Sequence, residues 1–145
     1  MNADENAGNL SELERAALKE RVAELKKESK RGDKSAAAER DVLEKIAAME
    51  PADRAIATRI HDLVREHSPG LNPKLWYGQP AYARSGKVVC FFRSGADDKE
   101  RYSTFGFTPE AQLDDGGLWP TSFAVAELTA KAEKAITELL ERAVD

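Results

Sequence analysis

The segment LWYGQPAYARSGKVVCFF, Leu75 to Phe92, constrains the fold more than any other part of the chain. Aromatic and β-branched residues crowd both sides of the pair Ser85-Gly86. That pattern predicts a β-hairpin closed by a tight turn. Gly78 and Pro80 interrupt the first arm. Proline cannot donate to a ladder, so this arm is expected at a sheet edge or bent at that point. The second arm, Val88 to Arg93, is apolar on both faces, which predicts that both are covered or that one lines a cleft.

The hairpin lies between helical regions. Ser11 to Lys30 reads as a charged helix with a narrow apolar stripe of Leu18, Val22 and Leu25, and Ser11 and Glu14 have capping-box spacing. Lys26 to Lys34 contains Gly32 and reads as a solvated helix end and loop. The alternative for this locally basic stretch is a phosphate- or partner-binding patch. A second helix is expected from about Ala36 to Met49, with Val42, Leu43, Ile46 and Met49 inward. Pro51 suits the first turn of a third helix. That helix carries Ile56, Ile60, Leu63 and Val64 at core spacing and is stopped by Ser68-Pro69-Gly70. After the hairpin, a strand is expected over Arg101 to Phe107 and a short one within Leu118 to Val125. A last helix begins near Thr129, with Ala132, Ile136, Leu139, Leu140 and Ala143 toward the core. Helices, then closely spaced strands, then a helix indicate an α+β fold with a mainly antiparallel sheet.

Composition narrows the function classes. The 145 residues suit one domain, here 36–145, with an N-terminal helical extension, 1–35. A net charge of -4 argues against a dedicated nucleic-acid binder. Residues 1–40 hold 9 basic and 9 acidic side chains, so the net acidity belongs to the remainder. No apolar run reaches the roughly 20 residues that span a bilayer. The opening MNADENAGNL lacks the cationic start and apolar stretch of a secretory signal. The single cysteine, Cys90, requires no oxidising compartment. The expectation is a cytoplasmic protein with no membrane association.

The motifs WYGQPAY, GKVVCFF, RYSTFGF and LDDGGLWPTSF together resemble the YdhG-like family of small bacterial proteins, over roughly Val42 to the C-terminus. The resemblance implies a two-layer sandwich of an antiparallel sheet with flanking helices. It implies no established activity. Some members are labelled iron chaperones, by analogy with frataxin-like proteins. No catalytic residue of the family carries over onto this chain.

Cys90 sits inside Val-Val-Cys-Phe-Phe and reads as a buried small hydrophobe rather than a nucleophile. His61 and His67 are six positions apart on one helix and point to separated directions, so they do not make the i, i+4 pair of a helical zinc site. His67 suits a helix end, and His61 reads as a plain exposed residue. Asp97, Asp98 and Glu100 in one loop, and Asp114 and Asp115 in another, offer oxygen ligands to a hard cation, iron being the candidate, with Asp97, Asp98, Asp114 and Asp115 as its ligands. The same residues are ordinary turn chemistry. All the aromatic residues fall between Trp76 and Phe123. Trp76, Tyr77, Tyr82 and Trp119, with Gln79, Pro80, Arg84 and Arg93, form the candidate ligand-binding set. No nucleophile–base or acid–base constellation stands out, so no enzymatic activity and no cofactor is expected. The preferred reading is a non-enzymatic binding module whose aromatic cleft or sheet edge takes a small molecule or a polypeptide segment. The iron-handling reading is the alternative. The stripe on the first helix also allows pairing with another protein or a second copy, giving a homodimer.

Overall fold

A computed structural model describes residues 12–144, and the side chains of all of these except 24, 25 and 27–31. The chain forms two compact units, Met1–Ala36 and Ala37–Asp145. Helix α1 runs Glu12–Ala47 without the break expected at Gly32. The physical reason is magnitude. One glycine costs a helix only about 1 kcal/mol relative to alanine. Alanine, lysine, arginine and glutamate dominate the surrounding sequence, and no proline is present. Leu13, Leu18 and Val22 are exposed. Ser11 and the side chain of Leu25 lie outside the described residues.

From Val42 onward the residues build the core. Val42, Ile46 and Met49 are buried, while Leu43 is 46% exposed rather than inward. It lies on the flank of the stripe set by those three. Helix α2, Pro51–His67, has Pro51 in its first turn and buries Ile56, Ile60, Leu63 and Val64. Five strands follow: β1 Asn72–Trp76, β2 Gln79–Arg84, β3 Lys87–Arg93, β4 Ser103–Phe107 and β5 Ser122–Val125. They form one sheet in the order β1-β2-β3-β4-β5, antiparallel at each pairing. Helix α3, Ala130–Ala143, closes the fold. Thr129 caps it, its side chain accepting from the Ala132 N–H at 3.1 Å. Ile136 and Leu140 anchor this helix, and each buried side chain of this size contributes about 1.5–3 kcal/mol.

The region expected as one bent arm is two strands. Tyr77 and Gly78, at φ +51° and +73°, make a two-residue turn between β1 and β2. Ser85 and Gly86, at +52° and +81°, make the expected turn between β2 and β3. Both turns have the two positive φ values of a type I′ hairpin, whose twist matches that of the strands. Pro80 therefore lies on an inner strand, and β1 is the edge. Trp76 faces Gln79 across the closing pair and Leu75 faces Pro80. The closing pair carries the hydrogen bonds, so the Pro80 nitrogen is directed away from β1. On its other side, pairing with β3 begins only at Ala81. Pro73, by the same alternation, directs its nitrogen to the open edge, where a missing donor blunts further strand pairing.

A bulge sets which residues enter the core. Tyr82 faces Cys90 but Ala83 faces Val88, so Val89 is the extra residue. Its carbonyl accepts from the Thr108 N–H at 3.0 Å. Val89, Cys90 and Phe92 consequently join the main core with Phe105, Phe107 and side chains of α1, α2 and α3. Val88 falls on the opposite face with Ala81 and Ala83, under Trp76 and Phe91. No helix residue joins this second cluster among the described residues, so α2, α3 and the end of α1 at Val42 and Ile46 lie on one side of the sheet. The result is a two-layer α+β architecture. No described helix is long and apolar enough to cross a membrane.

Candidate functional site

A cleft of about 150 Å³ opens where the β1–β2 turn, the end of β3 and the last turns of α1 converge. It is lined by Tyr77, Gly78, Gln79 and Pro80 from the hairpin. Arg93, Ser94, Asp97 and Asp98 line it from β3 and the following loop, Lys45 from the last turn of α1 and Met49 from the turn that follows α1. Each element is placed by a separate local cause. The type I′ turn projects Tyr77 outward, leaving it 85% exposed. Its ring meets Trp76 edge to face at 4.8 Å between centroids.

The base of the β3–β4 loop is pinned to α2 by Asp53. One carboxylate oxygen accepts from the Ser94 hydroxyl at 2.5 Å and the Ala96 N–H at 3.1 Å. The other accepts from the Ser103 hydroxyl at 2.9 Å. Burial pushes the Asp53 carboxyl up, but bonds from Ser94, Ala96 and Ser103 outweigh it and hold the group below its ordinary value. Gly95 is required here. A Cβ at this position would come within 2.4 Å of the Tyr102 carbonyl oxygen.

The cations of the cleft are matched by carboxylates of the same loop. Lys45 Nζ is 3.5 Å from Asp97. Arg93 donates through Nη2 to Glu100 at 2.9 Å and to the Thr104 hydroxyl at 3.4 Å. Its Nε is 3.6 Å from Asp98, an ion-pair distance too long for a hydrogen bond. That buried Nε has no hydrogen-bond partner among the described residues.

The expected ligand-binding residues divide among several places. Tyr77, Gln79, Pro80 and Arg93 come together in this cleft. Trp76 is half-buried on the sheet face beside it, 5.3 Å from the Phe91 ring. Tyr82 is fully buried on the core side. Arg84 belongs to the other end of β2, where it donates to the Val144 carbonyl at 3.0 Å. Trp119 lines a separate groove with Phe107, Pro109 and Thr121. Lys45, Ser94 and Met49 were not expected in the site. Nothing in the sequence distinguishes Lys45 from the other helical cations, because its role depends on where α1 ends against the hairpin.

The remaining candidates are placed as follows. Cys90 is fully buried, and burial pushes its thiol up. His67 is exposed at the end of α2, whereas His61 is buried rather than exposed. His61 reaches Tyr82 Oη through Nδ1 at 2.9 Å and Glu39 through Nε2 at 3.2 Å. The exposed reading of His61 failed because the polar partner that makes its burial tolerable, the Tyr82 hydroxyl, stands on β2, far away in sequence. Asp97 and Asp98 are in ion pairs, and Asp114 and Asp115 are exposed in another loop. Among the described residues, no three His, Cys, Asp or Glu side chains stand together as ligands for one metal ion.

No family model, curated protein or solved structure matches this chain.

Proposed function

We propose that the protein is a non-enzymatic binding module whose cleft at Tyr77, Gln79 and Arg93 takes a small molecule or a side chain of a polypeptide. The observation that carries this reading is Tyr77 itself. A left-handed backbone costs a residue with a Cβ about 1–2 kcal/mol, and asparagine is the residue that best tolerates this turn position. Tyrosine here is 85% exposed at φ +51°. Its edge contact with Trp76 returns about 0.5–1.5 kcal/mol at most. The aromatic ring is thus poorly accounted for by stability and well placed to close over a guest. Gln79 and the unfilled Nε of Arg93 supply the few polar groups that orient one. Membership of the YdhG-like family and a cytoplasmic location belong to the same proposal, supported by the sequence motifs and by the absence of any need for a disulfide.

Tyr77→Asn separates binding from stability. The variant is expected to melt at or above the wild-type temperature. Indole, benzoate, benzamidine and a capped tripeptide, screened by thermal shift, should include a guest that stabilises the wild type by mass action and not the variant. A lower melting temperature in Tyr77→Asn, with no stabilising guest for the wild type, would make the tyrosine architectural and sink the proposal.

A further inference from the structure

We infer that the guest group of this cleft is a carboxylate, and that Asp98 and Glu100 are its built-in competitors. The inference rests on the binding reading above and names the chemistry the site takes. Arg93 projects from β3 and Lys45 from α1, so both cations stand on regular elements. Asp97, Asp98 and Glu100 are in the loop after β3, with side chains 41–44% exposed. The base of that loop is fixed by Asp53, and its backbone is closed by the Glu100 N–H donating to the Gly95 carbonyl at 2.8 Å. The backbone under both cations and acids is therefore fixed, and the acidic side chains can leave by changing rotamer alone.

The guanidinium geometry identifies the guest. A carboxylate pairs most strongly with arginine when its two oxygens accept from two N–H groups in parallel. Among the described residues, no carboxylate does this to Arg93. Glu100 takes Nη2 at 2.9 Å, and Asp98 stands 3.6 Å from Nε without bonding to it. The Nε/Nη2 side of the fork is half-filled, and its empty donor is the buried one. A guest carboxylate can take both donors at once, displacing Glu100 and gaining the field of Lys45. The Gln79 amide and the Tyr77 ring are left for the body of the guest. Half-exposed ion pairs of the kind Asp98 and Glu100 make are weak and screened, so they yield to a fork-to-fork pair.

The test uses the full chain and matched probes. Benzoate and benzamide differ in the charged group alone. N-acetyl-Gly-Gly-Phe and its C-terminal amide distinguish a peptide terminus from a free organic acid. Calorimetry gives the affinities, and NMR follows the Arg93 Nε–H resonance. Benzoate or the free-acid peptide should bind saturably and move that resonance, with the neutral partner at least tenfold weaker. Whichever acid binds tighter identifies the source. Arg93→Lys should weaken the acid at least tenfold, and Lys45→Gln about threefold. Asp98→Asn and Glu100→Gln should each tighten it several-fold, because a competitor has lost its charge. Unchanged or weaker affinity in both of these variants would overturn the inference. So would equal binding of benzamide and benzoate, but that result would leave the Tyr77 binding reading standing. Failure of every guest would remove both.

Discussion

His61 Nδ1 and Tyr82 Oη are 2.9 Å apart in the middle of a polar chain that runs from α1 through α2 to β2. The other ring nitrogen faces a Glu39 oxygen at 3.2 Å. An ionised carboxylate only accepts, so Nε2 carries the proton toward Glu39. In the neutral ring Nδ1 then accepts from the Tyr82 hydroxyl. Burial first, then the nearby Cys90 and Glu39, push the phenol up, so it remains a hydroxyl able to donate. Three elements are tied by two bonds that no apolar side chain could replace singly. Tyr82→Phe leaves Nδ1 buried without a donor and is expected to cost about 1–3 kcal/mol in urea unfolding. Imidazole ¹⁵N shifts should show the Nε2–H tautomer in the wild type. An unchanged unfolding midpoint would show that water replaces the hydroxyl.

Asp53 makes the stability sensitive to acid. Its folded carboxyl titrates below its unfolded value of about 3.8. The carboxylate's contribution is thus fully present above that value and is lost as pH falls through the lower, folded value. Asp53→Asn removes a charged acceptor that serves three donors and should cost about 1–3 kcal/mol at pH 7. The gap between variant and wild type, measured by urea melts from pH 7 to 2.5, should narrow only below 3.8. A gap constant across that range would show that the charge of Asp53 is not what holds the loop.

Gly106 is required by the ring of Phe91. A Cβ at Gly106 would stand 2.5 Å from the end of that ring. Phe91 also packs on Trp76 at 5.3 Å between ring centroids, so a ring that moves away from a new Cβ disturbs that contact. Gly106→Ala is expected to destabilise by about 1–3 kcal/mol, as overpacking does. It should also shift the tryptophan emission, since Trp76 loses its neighbour. Phe91→Leu in the same background should recover part of the loss. No recovery would locate the strain in the β4 backbone.

Cys90 should be chemically quiet. It is fully buried, and burial pushes its thiol above the ordinary value. A thiol dye should label the native protein slowly and the urea-unfolded protein fast, with the native rate following global opening. Fast native labelling would mean that β3 opens locally.

The hairpin at Ser85-Gly86, the core stripes of α2 and α3 and the α+β class were legible because each is local. A turn type, a 3.6-residue period and a proline at a helix start leave their mark within a few residues. Two readings failed for an equally local reason. Gly32 carried a weak preference that its helix-forming neighbours outweighed. At Tyr77-Gly78 a type I′ turn was hidden because tyrosine stands where asparagine would announce it. The acidic loop was legible as a charged turn, but not as the counter-charge of Arg93 and Lys45.

By itself, then, the sequence determined the helices and strands apart from the run of α1 through Gly32 and the division of β1 from β2, where Ser85-Gly86 reverses the chain and which faces of α2 and α3 are apolar. These are set by backbone preference and side-chain period. The tertiary structure alone decided that Pro80 lies on an inner strand, that His61 is buried against Tyr82, and that Lys45, Tyr77 and Arg93 share one cleft. Those depend on the register of β1 on β2, on the single extra residue at Val89 and on where α1 ends. A one-residue slip in any of them exchanges core for surface, and no pattern along the chain encodes it.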